Sequence, residues 1–382
     1  MPIAVVIPLY NHERYIGEAL RSVLAQTRRV DRIVIVDDGS KDASVAAVAK
    51  FDDERIRLFE QENAGAHAAL NHGIAEAARD CDLIAILNSD DAYEPERIAE
   101  CVKFLEENPE CEMVCTRLRM MDENSARLSS DDPKQRWVER LWQARRDNIA
   151  AWLGIANFAK TSSNFVARSR FLLAHPFRAY RYVHDYFLAA VAAMEDKLGV
   201  LPRELLRYRT HASNTIKSGA PENVPREVLT MNIDLLRTLA PLLAHSASVR
   251  ENYTEYFRAL CRNYGDFRAE VFLHVVAQLL AGQPAATLVN FADTLTVENF
   301  PELAAPKSKA LKEEIAQEEY DALLRSLAGS RWLALGRFFG VTLHVWRDAP
   351  DAQKRLSLLK KGCAESRWFR LGQRLGFVYA DV

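Results

Sequence analysis

The run Asn88-Ser89-Asp90-Asp91 follows the apolar stretch Leu83-Ile84-Ala85-Ile86-Leu87, so its carboxylates stand where a buried strand opens onto a sheet edge. Carboxylate oxygens in that position suit a hard divalent cation, Mg²⁺ or Mn²⁺. Ligands of open α/β sheets bind outside the carboxyl ends of the strands, and a cation there would most naturally hold a diphosphate. The plainer reading is an Asp-rich turn capping a helix that begins near Glu94-Pro95-Glu96. The four residues alone do not choose between these readings; the elements that position them do.

Two further β-branched runs, Ala4-Val5-Val6-Ile7-Pro8 and Arg32-Ile33-Val34-Ile35-Val36, are each followed by turn residues and a helical pattern, which reads βαβα. The first leads through Tyr10-Asn11 into Arg14 to Gln26, where Ile16, Leu20, Val23 and Leu24 keep helical spacing. The second ends in Asp37-Asp38-Gly39-Ser40. A third strand is expected at Ile56-Arg57-Leu58-Phe59, with a helix starting near Asn63-Ala64-Gly65, and the Leu83 to Leu87 run is the fourth strand. Tyr10-Asn11, Asp37-Asp38 and Asn88 to Asp91 therefore converge on one edge of a parallel sheet. Further on, Val114-Cys115-Thr116 and Thr161 to Ala167 read as strands and Gln135 to Ala151 as a helix. Ser162, Ser163 and Asn164 would face an acceptor or, on the plainer reading, satisfy the sheet.

The order and spacing of these segments resemble the family 2 glycosyltransferases, inverting enzymes of the GT-A fold. The resemblance rests on Val6-Ile7-Pro8-Leu9-Tyr10-Asn11, Val36-Asp37-Asp38-Gly39-Ser40-Lys41-Asp42, Asn63-Ala64-Gly65 with Ala69-Leu70-Asn71-His72-Gly73, and Leu87-Asn88-Ser89-Asp90-Asp91; it covers about the first 215 residues. It implies a GT-A nucleotide-sugar-binding, Rossmann-like domain with a mostly parallel sheet over residues 1–220. It also implies a nucleotide-diphosphate-sugar donor held by Pro8, Tyr10, Asn11, Asp37, Asp38, Asn71, Asn88 and Ser89, and Mn²⁺ or Mg²⁺ on Asp90. Asn88 is a departure, since the family's Asp-x-Asp usually has a carboxylate there.

By the same resemblance Asp185, in Tyr182-Val183-His184-Asp185-Tyr186, stands where the family places its catalytic base, with His184 replacing the usual first acid of the pair. A carboxylate at a helix N-terminus is also favourable simply through the helix dipole. The segment Leu206-Arg207-Tyr208-Arg209-Thr210-His211 is similar to the Tyr-Arg-x-His run that closes the domain in relatives. His211 is thereby expected as a second metal ligand and Arg209 as a diphosphate clamp, its fork suiting phosphate oxygens. The implied acceptor is a hydroxyl of a glycan or lipid-linked molecule in cell-surface polysaccharide synthesis.

Beyond Pro221 the chain turns Leu- and Ala-rich without strand signals, giving an all-α C-terminal domain over 221–382. There Ser330-Arg331-Trp332 and its followers to Gly340 recur 36 residues later as Ser366-Arg367-Trp368 to Gly376. Residues 330–382 hold ten Lys or Arg against four Asp or Glu, a net of +6 in a chain whose net charge is -2. Such a tail lies on an anionic membrane surface or packs as a bundle or homo-oligomer interface. The near-neutral total gives no reason to invoke nucleic acid. The six cysteines form no Cys-x-x-Cys pair, no secretory leader precedes the first strand, and no run of about 18 apolar residues occurs. A cytoplasmic enzyme, peripheral at the inner face of the plasma membrane, is expected. Two other classes remain for comparison. A non-catalytic assembly protein on the same scaffold is favoured only by Asn88 and His184, and donor turnover would remove it. A phosphorylation receiver domain needs a phospho-acceptor Asp and a late-strand Lys that are not evident.

Overall fold

The computed structural model describes residues 1–211, 214, 223–264, 317, 357–359 and 361. The chain divides into two compact units, Met1–Ala304 and Ala305–Val382. The first begins with β1 (Ile3–Leu9), α1 (Ile16–Leu24), β2 (Arg32–Asp37), α2 (Ser44–Val48), β3 (Ile56–Glu60), α3 (Ala66–Ala77), β4 (Leu83–Ile86) and β5 (Ala92–Tyr93). It continues through α4 (Arg97–Glu107), β6 (Met113–Met121), α5 (Pro133–Gln143), α6 (Ile149–Ile155), β7 (Val166–Arg168), α7 (Ser169–Ala174), α8 (His184–Met194) and β8 (Leu198–Arg209). Two long helices follow, α9 (Asn223–His245) and α10 (Ala247–Tyr264). In the second unit the described residues Gln317, 357–359 and Lys361 are helical, and the Ser-Arg-Trp repeat lies outside the described residues.

The eight strands form one sheet in the order β3-β2-β1-β4-β7-β6-β8-β5. Strands β1 to β4 pair in parallel, and β6 pairs β8 in parallel. Strand β7 runs antiparallel to both its neighbours, and β5 antiparallel to β8. The β-branched runs behave as buried parallel strands do, apolar at consecutive positions because helices cover both faces: β1, β2 and β4 are almost wholly buried along their length. Register fixes the site, since Leu9 pairs with Asp37 and Val6 with Ile86. The residues after β1, β2 and β4 consequently emerge side by side.

Two expected elements differ. Thr161 to Ala167 is not one strand: Ser162–Asn164 form a 3₁₀ turn, and only Val166–Arg168 enters the sheet. The turn wins because its polar side chains find internal partners; Asn164, for example, donates from Nδ2 to the Thr116 and Ala159 carbonyls at 2.8 and 3.1 Å. The helix expected over Gln135 to Ala151 is two, broken at Ala144–Asn148, where the Asn148 side chain starts α6 by accepting from Ala151 N at 2.8 Å.

Helices α9 and α10 begin where the sequence changes character at Pro221, yet the first compact unit continues past the expected boundary at 220. Leu235, Leu236, Leu239, Tyr253, Tyr256 and Phe257 are all buried in the same core as the sheet. Helix α10 lies against α6 through Gly154, where an added Cβ would sit 2.3 Å from the Tyr256 carbonyl oxygen. Backbone cannot yield there as a flexible side chain would. Gly154→Ala is therefore expected to overpack this contact and cost about 2 kcal/mol, read as a lower urea midpoint. An unchanged midpoint would mean that α10 is not held at this distance.

Candidate functional site

The ends of β1, β2 and β3 build a polar shelf. Pro8, half-buried in β1, pairs with Val36, and Tyr10 is 45 % exposed just beyond the strand. Asn11 adopts a φ of 51°. Its backbone N–H donates to Ser40 Oγ at 2.9 Å and its Oδ1 accepts from Lys41 N at 2.7 Å, so the turn after β1 is tied to the turn after β2. Gly39 makes that second turn with a φ of 74°, which glycine adopts without steric cost. Asp37 accepts from Ser40 N through Oδ2 at 2.9 Å, while its buried Oδ1 has no hydrogen-bond partner among the described residues. Asp38 is committed: Oδ1 accepts from Gln61 Nε2 at 2.8 Å and Ala64 N at 2.9 Å, and Oδ2 from Gly65 N at 2.8 Å. Its carboxylate organises the start of α3 with three of roughly four acceptor positions. A cleft of about 570 Å³ lined by Gly39, Lys41, Gln61 and Asn63, among others, opens on this shelf.

Beside the shelf His12, Asp90 and His211 bring one ligand atom each to within 4.8 Å of one another. His211 Nε2 lies 2.9 Å from Asp90 Oδ2, and His12 Nδ1 lies 2.8 Å from Ser89 Oγ. Ser89 is thus buried beneath an imidazole and orients it. Tyr15 completes the wall, its ring centroid 4.9 Å from that of His211. Burial alone would raise the Asp90 carboxyl, but the His211 hydrogen bond and the charge of His12 hold it below the ordinary value. Burial lowers His12 against the pull of Asp90. Burial and then the Asp90 charge push Asp91 well up. The donor chemistry fits a divalent cation. One carboxylate with two imidazoles favours a first-row ion such as Mn²⁺ over Mg²⁺, which prefers all-oxygen shells. His12 was not among the expected residues. Its signal was its place directly after Tyr10-Asn11, at the edge to which β4 delivers Asp90.

Three expected donor-binding residues are spent on the scaffold. Arg209 is 1 % exposed; its guanidinium donates to the Asp90 carbonyl at 2.7 Å, to Ser125 Oγ at 2.9 Å and to Glu18 Oε2 at 2.5 Å. No face of its fork is left for a phosphate. The Asn71 amide bonds both ways with Phe177, donating to its carbonyl at 2.8 Å and accepting from its N–H at 2.9 Å. It therefore fixes the loop leading to α8. Asn88 donates from Nδ2 to Thr161 Oγ1 and accepts from Ser162 Oγ, both at 3.0 Å. An amide has the donor and the acceptor this turn uses, which accounts for Asn where a metal-binding carboxylate was expected.

Asp185 sits in the first turn of α8, 7 % exposed. Burial raises its carboxyl, opposed by His184, by the Tyr186 N–H and by Lys160. The Tyr186 N–H donates to Asp185 Oδ1 at 2.6 Å. His184 opens the helix with its Nδ1 buried and unpartnered. Tyr208 links this corner to the histidine cluster, because after burial the charges raising its phenol are Asp91, Asp90 and Asp185. A carboxylate and a cation-binding group thus both act on the Tyr208 phenol, and groups of these two kinds can take a proton and neutralise charge in one reaction.

Residues 4–168 match the profile described as "Glycosyl transferase family 2". An uncharacterized glycosyltransferase of Rickettsia conorii is 43 % identical over 108 residues, 28 % of this chain and 17 % of that protein. One from Nostoc sp. is 29 % identical over 235 residues, 59 % of this chain and 70 % of the relative. The chain thus spans less than a fifth of the Rickettsia relative's length. Among solved structures, residues 1–349 of S. aureus TarS in complex with UDP-GlcNAc superpose with a TM-score of 0.51 at 15 % identity, covering 80 % of this chain and 90 % of that one, a likeness of fold.

The Arg209 geometry has a measurable consequence. Arg209→Met leaves the Asp90 carbonyl without its guanidinium donor, while Glu18, 23 % exposed, keeps Arg207 and Ser125, so the expected loss is that of an unsatisfied buried polar group, about 2 kcal/mol. Chemical denaturation should show that loss equally with and without nucleotide. A stable variant with weakened nucleotide affinity alone would restore the phosphate-clamp role.

Proposed function

Because this chain belongs, across residues 4–168, to glycosyl transferase family 2, we propose that it moves a sugar from a nucleotide-diphosphate donor to a hydroxyl of a glycan or lipid-linked acceptor, with inversion at the anomeric carbon. What supports the reading is the buried Asp185 carboxylate at the head of α8, acting on the same Tyr208 phenol as Asp90 of the His12, Asp90 and His211 cluster.

In this reading the donor's nucleoside lies on the shelf of Tyr10, Asn11 and Asp37. The unpartnered Asp37 Oδ1 accepts from its base or ribose, while Pro8, Asp38 and Ser89 shape and fix that shelf. His12, Asp90 and His211 would hold Mn²⁺ or Mg²⁺, which when bound supplies positive charge against the diphosphate leaving group. Asp185 accepts the proton of the acceptor hydroxyl as that oxygen attacks the anomeric carbon. The bond between that carbon and the diphosphate oxygen breaks with its electron pair leaving on the diphosphate, and a single in-line displacement inverts the centre. A base whose carboxyl is raised by burial is better matched to a hydroxyl than an ordinary aspartate. The basic, Trp-bearing tail from 330 to 382 fits an enzyme of the cytoplasm working at the inner face of the plasma membrane on cell-surface polysaccharide, the tail resting on lipid or on a second copy. Among the described residues no helix is long and apolar enough to cross a membrane.

A screen of nucleotide sugars for thermal stabilisation in the presence of Mn²⁺ identifies the donor, since a ligand of the folded state raises the melting temperature by mass action. Asp90→Ala should weaken Mn²⁺ and donor affinity by at least about tenfold without altering the fold. Unchanged Mn²⁺ affinity in calorimetry would remove the cation assignment. Asp185→Asn should keep donor affinity and lower kcat by about 10²–10⁴. In the intact enzyme kcat/KM should fall as pH drops, with a midpoint above the ordinary aspartate range, because the base must be ionised and burial raises its carboxyl. Near-normal transfer by Asp185→Asn would move the base to His184.

A further inference from the structure

Lys160 is a cation that meets only aromatic rings among the described residues. Its backbone stands in the left-handed region at a φ of 68°, a conformation of order 1 kcal/mol less favourable for a residue with a side chain. The Asn157 side chain fixes that turn, accepting from Lys160 N at 3.1 Å. The ammonium that the turn aims inward lies 4.1 Å from the Trp137 ring centroid and 5.8 Å from that of Tyr208. Among the described residues no hydrogen bond or ion pair engages its three donors. Aromatic faces compensate a half-buried ammonium only in part, and an unpartnered charge of this kind is costly to retain for packing alone.

Its place tells which anion it awaits. The carboxylate whose charge it senses is Asp185, and Lys160 in turn acts on Asp185. The groups acting most strongly on Asp90 are His211 and His12. Lys160 thus acts on the proposed base, with its ammonium against the Trp137 and Tyr208 rings. Trp137, whose ring lies nearest the ammonium, is 38 % exposed.

We propose that Lys160 recognises an anionic group, a phosphate or a carboxylate, borne by the acceptor close to the hydroxyl that Asp185 deprotonates. This rests on Asp185 being the base. Lys160 is a specificity-determining residue: an acceptor lacking the anion leaves the ammonium unpaired on closure, and one carrying it gains charge-assisted hydrogen bonds.

The test uses the full chain as wild type, Lys160→Met and Lys160→Arg, each checked for fold by melting. Inorganic phosphate and, separately, acetate are titrated calorimetrically, once with Mn²⁺ and the donor's nucleotide diphosphate saturating and once without. Wild type should bind at least one anion, and the preference between the two distinguishes a phosphate-bearing from a carboxylate-bearing acceptor. Lys160→Met should weaken that binding at least about tenfold, the scale of one lost charge-assisted contact, and Lys160→Arg should retain it. Equal affinity in wild type and Lys160→Met would overturn the inference, as would no binding to wild type at concentrations of order 100 mM. A shift in the pH dependence of donor hydrolysis by Lys160→Met with anion binding untouched would also overturn it, showing that the lysine only tunes Asp185. Loss of Mn²⁺-dependent donor binding in wild type would instead count against the glycosyl-transfer reading, and intact donor hydrolysis with no anion effect would count against Lys160 alone.

Discussion

The buried Arg209 is the tie on which the geometry of this molecule depends. Its backbone N–H donates to Asp91 Oδ1 at 2.9 Å, and its side chain reaches the Asp90 carbonyl, Glu18 on α1 and Ser125 beyond β6. One cation thus joins the end of β8 to the turn after β4 and to the first helix, elements far apart in sequence. Two residues on, His211 arrives against Asp90 because Arg209 has already fixed the chain there. The tie is mutual: Glu18, though burial alone would raise its carboxyl, is held below the ordinary value by Ser125 and Arg209. Hydrogen bonds of this kind are worth most where water is excluded and every partner is satisfied.

The same economy runs through the polar motifs. A sheet edge lined with Asp and Asn looks from sequence like a row of ligand contacts, but most of these groups serve one another. Asp38 holds the start of α3, Asn71 the loop before α8, Asn88 the Thr161–Ser163 turn, and Asp91 accepts from both Ser163 Oγ and Arg209 N. In the proposed reading the groups that meet a ligand are the second oxygen of Asp37, the histidine pair with Asp90, and Asp185 with Lys160.

How far the sequence led can be judged element by element. The runs Ala4 to Pro8, Arg32 to Val36 and Leu83 to Leu87 are apolar at consecutive positions, and that pattern is dictated locally by burial between two helical layers, so strands and their shared edge were legible. Asp90 and Asp185 were reached because each sits at the end or the head of such an element. The breaks were less visible. Nothing in the periodicity of Gln135 to Ala151 marks Asn148 as a cap, and Thr161 to Ala167 has strand composition although side-chain bonds to Asn88 and Thr116 settle it as a turn. Long-range pairing was illegible for a physical reason: whether Arg209 meets a phosphate or Glu18, and whether His12 meets Asp90, is decided by contacts across 191 and 78 positions that no local rule constrains.

The electrostatics of the remaining free groups agree with the proposed division of labour. The half-buried Asp90 and the buried Asp185 influence the same phenol, Tyr208, yet they are tuned in opposite directions. Imidazoles beside Asp90 keep it charged, as a cation ligand must be. The close partner of Asp185 is an uncharged N–H, that of Tyr186 at 2.6 Å, with the charges of His184 and Lys160 acting beside it, so desolvation prevails and its proton affinity rises. Environments that push two carboxylates apart assign one to hold charge and the other to move a proton. Exchanging the environments would exchange the roles, which is why the residues around each carboxylate, and not the carboxylates themselves, carry the chemical information in this site.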